Sequence, residues 1–492
     1  ADELSVDKFH RNDAQLFQVM EREQRNDGIA VSYRTSGLTA EALKAEMAEV
    51  EYATAVMHHS WFPKFELSAT ANNKIKAVGQ FADQDFFNVF SYELLEGSRN
   101  SLLNDKSSIV ISESLARRLF NTNRGVLGKT LEWEIGGRIK KQVSVAGIFK
   151  DIPANSSEQF DFLLPFSVFK EISPAVLEWG NNGTNAYVVL KKGTNVDQFN
   201  KKIAGFIAAK RPGSGRSLFL AKFSDNYLYG KYENGVQSGG RIEYVRLFII
   251  VAFFILLIAC INFMNLSTAK ASRRLKEIGI KKAVGAGRGT LIMEYLSESI
   301  LMASISLIIA VVLVKTFLPQ FNAITSKDIT LNWDVRIVLA ALAVTLITGL
   351  LSGSYPALYL SGFRPVIVLK GKIKTLAGEL WVRKGLVVFQ FALSVVFIVS
   401  VGVVYKQMRM IQNKNLGYDK ENVIYFTKDG AIQQKPELFL SELKKIPGVI
   451  NASATDHLFA GGFNTTGGLE WPGKDPARDV PFEIMHADYD MI

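Results

Sequence analysis

Three stretches carry residue types that could do chemistry. Arg124-Gly-Val-Leu-Gly-Lys-Thr130 ends like a phosphate-binding loop, in which backbone amides and a lysine cradle a nucleotide. The pattern needs a glycine where Asn123 stands, so a turn leading between strands is expected instead. His58-His59 offers two imidazoles to a metal ion. Adjacent side chains on a strand point to opposite faces, and no acidic cluster or cysteine lies near them in sequence, so no metal site is expected. Glu294 and Glu298 stand four apart on one helix face, at the edge of an apolar run where a carboxylate costs little. With five histidines and no Ser/His/Asp or paired-carboxylate spacing, no catalytic residue is expected. Cys260 is the single cysteine, which excludes an internal disulfide or a cysteine-built zinc cluster.

The elements that would position such groups divide sharply along the 492 residues. Hydrophobic residues make up 48% of the chain, and they pile up in four runs: Leu247–Leu266, Leu296–Leu318, Val335–Leu360 and Leu386–Tyr405. A helix of about 20 residues spans about 30 Å, the thickness of a hydrocarbon core. Gly349, Gly353 and Pro356 in the third run allow close packing or a kink. The net charge of +10 sits largely in two loops between runs. One holds Lys270, Arg273, Arg274, Lys276, Lys281, Lys282 and Arg288 against Glu277; the other holds Arg364, Lys370, Lys372, Lys374, Arg383 and Lys384 against Glu379. Charge so placed orients a membrane protein, with both loops in the cytoplasm, and removes the argument for nucleic acid as a partner.

Residues 1–240 then lie outside. They read as a mixed α/β domain of short alternating strands, among them Ser108–Ile111 and Gln142–Ile148, with Ser112 as the N-cap of a short amphipathic helix. The expected organisation continues with residues 245–360, holding three transmembrane helices and a cytoplasmic segment at 270–289. A basic cytoplasmic loop follows at 361–385, then a fourth helix at 386–406. Residues 407–492 are expected to begin a second outer domain. Met47, Val50, Ala53 and His58 are spaced like Ile446, Val449, Ala452 and His457, each set after a polar helical stretch. The chain begins at Ala1 with no signal peptide, so a further helix upstream is expected to anchor the outer domain.

The segment Lys270–Ala286 mixes a basic face with Leu275 and Ile278 at helical spacing, broken by Gly279, Gly285 and Gly287. From the residues alone it is either a short helix lying on the membrane surface or a basic loop held by anionic headgroups. Glu277-Ile-Gly-Ile-Lys-Lys-Ala-Val-Gly-Ala286, with Glu294–Ser299 downstream, closely resembles the cytoplasmic loop of MacB/FtsX-like ABC transporter permeases. Val6–His10, Asp85–Phe87, Leu94–Gly97, Gly128-Lys129, Gly147–Ser156, Phe389–Phe391 and Asn415–Asn422 extend the resemblance to eight-span members of Bacteroidetes type, of which this chain would lack the first and last spans.

The resemblance implies a multi-domain membrane protein: an α-helical bundle plus a MacB-like periplasmic α/β domain with two lobes. It implies a non-enzymatic permease subunit in the bacterial inner membrane, driven by a separate ABC ATPase that binds ATP and Mg2+, with no cofactor on this chain. Other implied partners are the lipid bilayer and a periplasmic adaptor or envelope protein. Arg273, Arg274, Lys276, Glu277, Ile278, Gly279, Ile280, Lys281, Lys282, Ala283, Gly285 and Ala286 would meet the ATPase, with Ile278 and Ile280 as apolar anchors. Three classes remain: export of a drug, peptide or lipoprotein; regulation of an envelope hydrolase; and a membrane-anchored sensor without an ATPase.

Overall fold

The computed structural model describes residues 2–491 apart from 26–27, 71–72, 138, 274, 332, 363–376, 416–420, 429–430, 457–463, 467–468 and 475–481. It divides into two compact units, Ala1–Glu243 with Ile424–Ile492, and Tyr244–Val423. Most of the basic loop expected at 361–385, and His457 of the proposed repeat, lie outside the described residues.

The first unit is built on one mixed sheet of thirteen strands. They are β1 Leu16–Arg25, β2 Gly28–Ser32, β3 Val50–Met57, β4 Phe65–Thr70, β5 Asn73–Ala77, β6 Gly79–Ala82, β7 Leu94–Glu96, β8 Ser108–Ser112, β9 Thr130–Ile135, β10 Ile139–Phe149, β11 Phe162–Pro165, β12 Asn185–Leu190 and β13 Arg216–Lys222. The order is β13-β1-β12-β3-β6-β11-β8-β10-β9-β4-β5, with β2 on β1 and β7 on β10. β8 runs parallel to β10 and β11 parallel to β6, while the other pairs are antiparallel.

Period-two alternation decides which side chains meet on each face. Ile109 and Ile111 of β8, and Ala186, Val188 and Leu190 of β12, enter one core with Leu43, Leu115 and Phe199 of the covering helices. Val110, Tyr187 and Val189, the intervening residues, enter a second core on the opposite face, rich in aromatics: Phe86, Phe87, Phe90, Tyr92 and Phe149. Central strands buried on both faces read as near-continuous apolar runs, as β8 and β12 do. Ser112 caps the helix Glu113–Phe120 as expected, its hydroxyl accepting from the Leu115 amide at 3.2 Å. Gly79 is paired with Phe162, whose ring lies so close that an added Cβ would be 2.1 Å from it.

One acid is buried near the β13 edge. Glu21 is 2% exposed, accepts a hydrogen bond from Asn182, and has the Arg216 guanidinium 3.6 Å away. Burial outweighs that cation and lifts the Glu21 carboxyl to about 7. A raised acid contributes stability that is complete below its unfolded value near 4.5 and is lost as pH rises through about 7. Melting curves of Glu21→Gln should therefore lack a wild-type loss of about 3 kcal/mol between pH 5 and pH 8. Parallel slopes for the two proteins would show that Glu21 is not a linked group.

The segment Ile424–Ile492 carries a helix, Pro436–Leu443, of the same length as Thr39–Glu46. Both lead into the same turn: the Val50 amide donates to Met47 O and the Val449 amide to Ile446 O, each at 3.1 Å. Among the spaced residues the likeness is confined to this turn: Ala53 lies in β3, Ala452 lies in no strand, and His457 is outside the described residues.

The second unit holds four helices long and apolar enough to cross a membrane among the described residues: Arg241–Thr268, Arg288–Thr325, Val335–Tyr359 and Lys384–Gln412. These are the four expected runs, lengthened where polar ends continue the helix. The second and third pack antiparallel through small residues. A Cβ on Gly349 would lie 3.0 Å from Ile300 Cα, and one on Gly353 would lie 2.6 Å from Ser299 Oγ. Close backbone approach of this kind is the use of a small-xxx-small stripe between membrane helices. Pro356 lies within the same helix without ending it.

Candidate functional site

The basic segment after the first apolar helix folds as a separate short helix, Leu275–Ala283. Arg273 closes the helix before it, Lys276 lies in its first turn, and Arg274 lies outside the described residues. Gly279 does not break it but sits buried within it. Gly285 does end it, at φ +102, a conformation few residues but glycine adopt. The Gly285 amide donates to Lys282 O and the Ala286 amide to Lys281 O, at 3.1 and 2.9 Å. Those two bonds satisfy the last carbonyls and turn the chain into the second apolar helix, which starts at Arg288.

Ionic and hydrogen bonds seat the short helix on its own unit. Lys281 Nζ bridges Glu277, 3.1 Å away, and Glu294 of the second apolar helix, 2.6 Å away. Hydrogen bonds to Glu294 and then Glu277 raise the Lys281 ammonium above its usual value. Lys282 Nζ donates to the Ser361 carbonyl at 2.6 Å, at the C-terminal end of the third apolar helix, where carbonyls lack partners and a cation is favoured. Arg288 Nε donates to Ser361 Oγ at 3.3 Å. Ile278, Leu291 and Ala357, one from each of these three helices, are at most 2% exposed.

This seat fixes the helix phase. Ile278 and Lys282, four apart, face the chain's own helices. Positions 277, 280 and 284 share the other face, with Lys281 at its border. There Ile280 is 56% and Val284 85% exposed, and the Glu277 side chain stands out beside Lys281. Ala283 and Gly285 are exposed at the same end, and Ala286 is half-buried. Ile278 is therefore not available as a surface anchor. Its burial is set by the seat on the second and third helices. Val284, absent from the expected contact residues, is the most exposed apolar group of the segment. The i, i+3, i+7 spacing from Glu277 is the signal that could have found it.

Residues 3–206 match the MacB-like periplasmic core domain, and residues 249–365 match the FtsX-like permease C-terminal domain. The chain belongs to the MacB/FtsX-like ABC transporter permeases. This permease is 26% identical over 305 residues to the macrolide export ATP-binding/permease protein MacB of Salmonella choleraesuis. It is 25% identical over 291 residues to the protein of that name in Neisseria gonorrhoeae. Each match covers 58% of this chain and 42% of the relative, so the chain spans less than half the length of these curated relatives. A solved domain of a permease protein from Porphyromonas gingivalis is 25% identical, with a TM-score of 0.37, covering 44% of this chain and 93% of that one. Four spanning helices and a periplasmic-type domain make this family member a multi-pass membrane protein.

The other candidate groups resolve differently. Gly125 and Gly128 take φ +66 and +75 in the loop between the helix Glu113–Phe120 and β9. Thr130 opens a strand, whereas a phosphate-binding loop opens a helix whose N-terminus faces the anion. Glu294 is a structural partner of Lys281 rather than a lone interfacial carboxylate. The histidine pair departs from expectation. β3 ends at Met57, so His58 and His59 lie off the strand, on a short turn, with ring centroids 4.0 Å apart. An acid remote in sequence, Glu158, reaches them, its Oε2 2.8 Å from His58 Nε2.

Proposed function

We propose that this chain is the permease of an inner-membrane ABC-type export or mechanotransmission complex, coupling ATP hydrolysis by a partner subunit to movement of periplasmic domains. The observation that carries the reading is the seat of the short helix Leu275–Ala283. It presents Glu277, Ile280 and Val284 outward while Lys281 and Lys282 tie it to the second and third apolar helices. A force applied to that face is delivered to two membrane helices packed through Gly349 and Gly353, a unit suited to moving as one.

In this reading the two basic loops face the cytoplasm, and residues 1–240 and 407–492 face the periplasm. Export is supported by the relatives, which are named for macrolide export and for both ATP-binding and permease parts. ATP and Mg2+ belong to the ATPase, which supplies the chemistry. This chain supplies a docking face and a lever. The reversal of Glu277 is informative because Lys281 keeps Glu294 as a partner, so the helix stays seated. Protein purified in mild detergent from native membranes should carry an ABC ATPase. Glu277→Lys should retain about a tenth of it or less while inserting normally. Equal recovery of the ATPase with both proteins would refute the docking assignment.

A further inference from the structure

We propose that His58, His59 and Glu158 form a binding site for one divalent transition-metal ion of the Zn2+ class in the outer α/β domain. Each residue offers one donor atom, and the three atoms lie within 4.8 Å of one another. His58 Nε2 and Glu158 Oε2 approach to 2.8 Å. Yet no N–H or O–H among the described residues is aligned to donate to Oε2, which is itself shut off from solvent. Two potential ligand atoms 2.8 Å apart, with no hydrogen bond aligned between them, form an arrangement that a cation completes. Zn–N and Zn–O bonds of about 2.1 Å put tetrahedral ligands about 3.4 Å apart, so small side-chain rotations suffice.

The surroundings supply what a metal site needs beyond its ligands. Ligation through His58 Nε2 requires the proton on Nδ1, and Ser60 Oγ lies 2.8 Å from Nδ1 to accept it. The Ser60 amide, now 3.1 Å from Nδ1, belongs to an exposed residue and can turn to water. Glu158 is also held in place. Asp7 accepts from the Ser157 amide at 2.8 Å and donates its own amide to Asn155 O at 2.9 Å, and the Glu158 amide donates to Ser156 Oγ at 3.3 Å.

Two imidazoles and one carboxylate select Zn2+, Co2+, Ni2+ or Cu2+ over Mg2+ and Ca2+, which favour all-oxygen shells. Three protein ligands leave one position of a tetrahedral ion open to water or to a donor from another molecule. When filled, the site staples the end of β3 to the segment before β11.

The test is a titration of the full chain, purified in detergent through a tag without histidines and stripped with a chelator. Zn2+ is added in competition with a chromophoric chelator, and Co2+ in parallel for its visible absorption. We expect one saturable equivalent and a tetrahedral Co2+ spectrum, neither displaced by excess Mg2+. His59→Ala and the isosteric Glu158→Gln should each weaken binding at least about tenfold. His486→Ala should leave binding unchanged, since His486 pairs instead with Asp456 at 2.6 Å. No saturable binding, or full affinity in the Glu158→Gln and His59→Ala proteins, would overturn the proposal. So would a loss of binding confined to His486→Ala.

Discussion

Val284→Asp should reduce ATP hydrolysis by the reconstituted complex at least about 30-fold, while leaving insertion and fold intact. Val284 is 85% exposed, and its amide already closes the end of the short helix onto Ile280 O at 3.0 Å. A side-chain change there disturbs nothing inside the chain. At a docked interface the same position becomes an apolar knob, and a carboxylate would be buried without a partner. Loss of an interface anchor costs about 2 kcal/mol or more, which is the fold-change expected. Ile280→Asp, on the same face and less exposed, should act in the same direction. Ile278→Asp should behave differently: at 2% exposure it places a charge inside the seat, and the protein should fail to accumulate. Normal hydrolysis by the Val284→Asp complex would show that the exposed face is not where the ATPase acts.

Gly79→Val should destabilise the α/β domain by about 3 kcal/mol, near the upper end of what overpacking a core produces. Gly79 is wholly enclosed in β6, and the Phe162 ring of the parallel strand β11 occupies the space a side chain would take. Phe162 cannot yield easily, because its ring centroid is 5.2 Å from that of Phe65 in an edge-to-face contact within the same core. Denaturant unfolding of the detergent-solubilised protein, followed by tryptophan fluorescence, checks this, since Trp133 is buried in that core. A midpoint within error of wild type would mean that the ring moves aside freely. Cavity-forming Phe162→Ala should be similarly severe, at about 3–5 kcal/mol.

What could be read from the sequence was what local pattern dictates. Four apolar runs of about 20 residues or more are hard to bury in one soluble core, so the spans stood out. Ser108–Ile111 and Gln142–Ile148 lie within β8 and β10, and Ser112 caps the helix after them because a serine before an amphipathic stretch satisfies a free amide. The order of thirteen strands was not legible, because pairing is set by contacts remote in sequence. The phase of Leu275–Ala283 was not legible either. Ile278 and Ile280 are chemically alike, and it is bonds to residues further along the chain, Lys281 to Glu294 and Lys282 to Ser361, that go with Ile278 turning inward. The meeting of His58 with Glu158 was hidden for the same reason. Nothing near residue 58 announces an acid 100 positions away, and the strand periodicity that set the two imidazoles apart stops at Met57.

The most direct test of the central claim is site-specific photo-crosslinking in native membranes, with the reactive side chain placed at 284 in one protein and at 278 in another. A nucleotide-dependent crosslink from position 284 to an ABC ATPase is expected, with only intrachain products from position 278. Crosslinks from 284 to lipid alone, with the ATPase present in the same membranes, would contradict it.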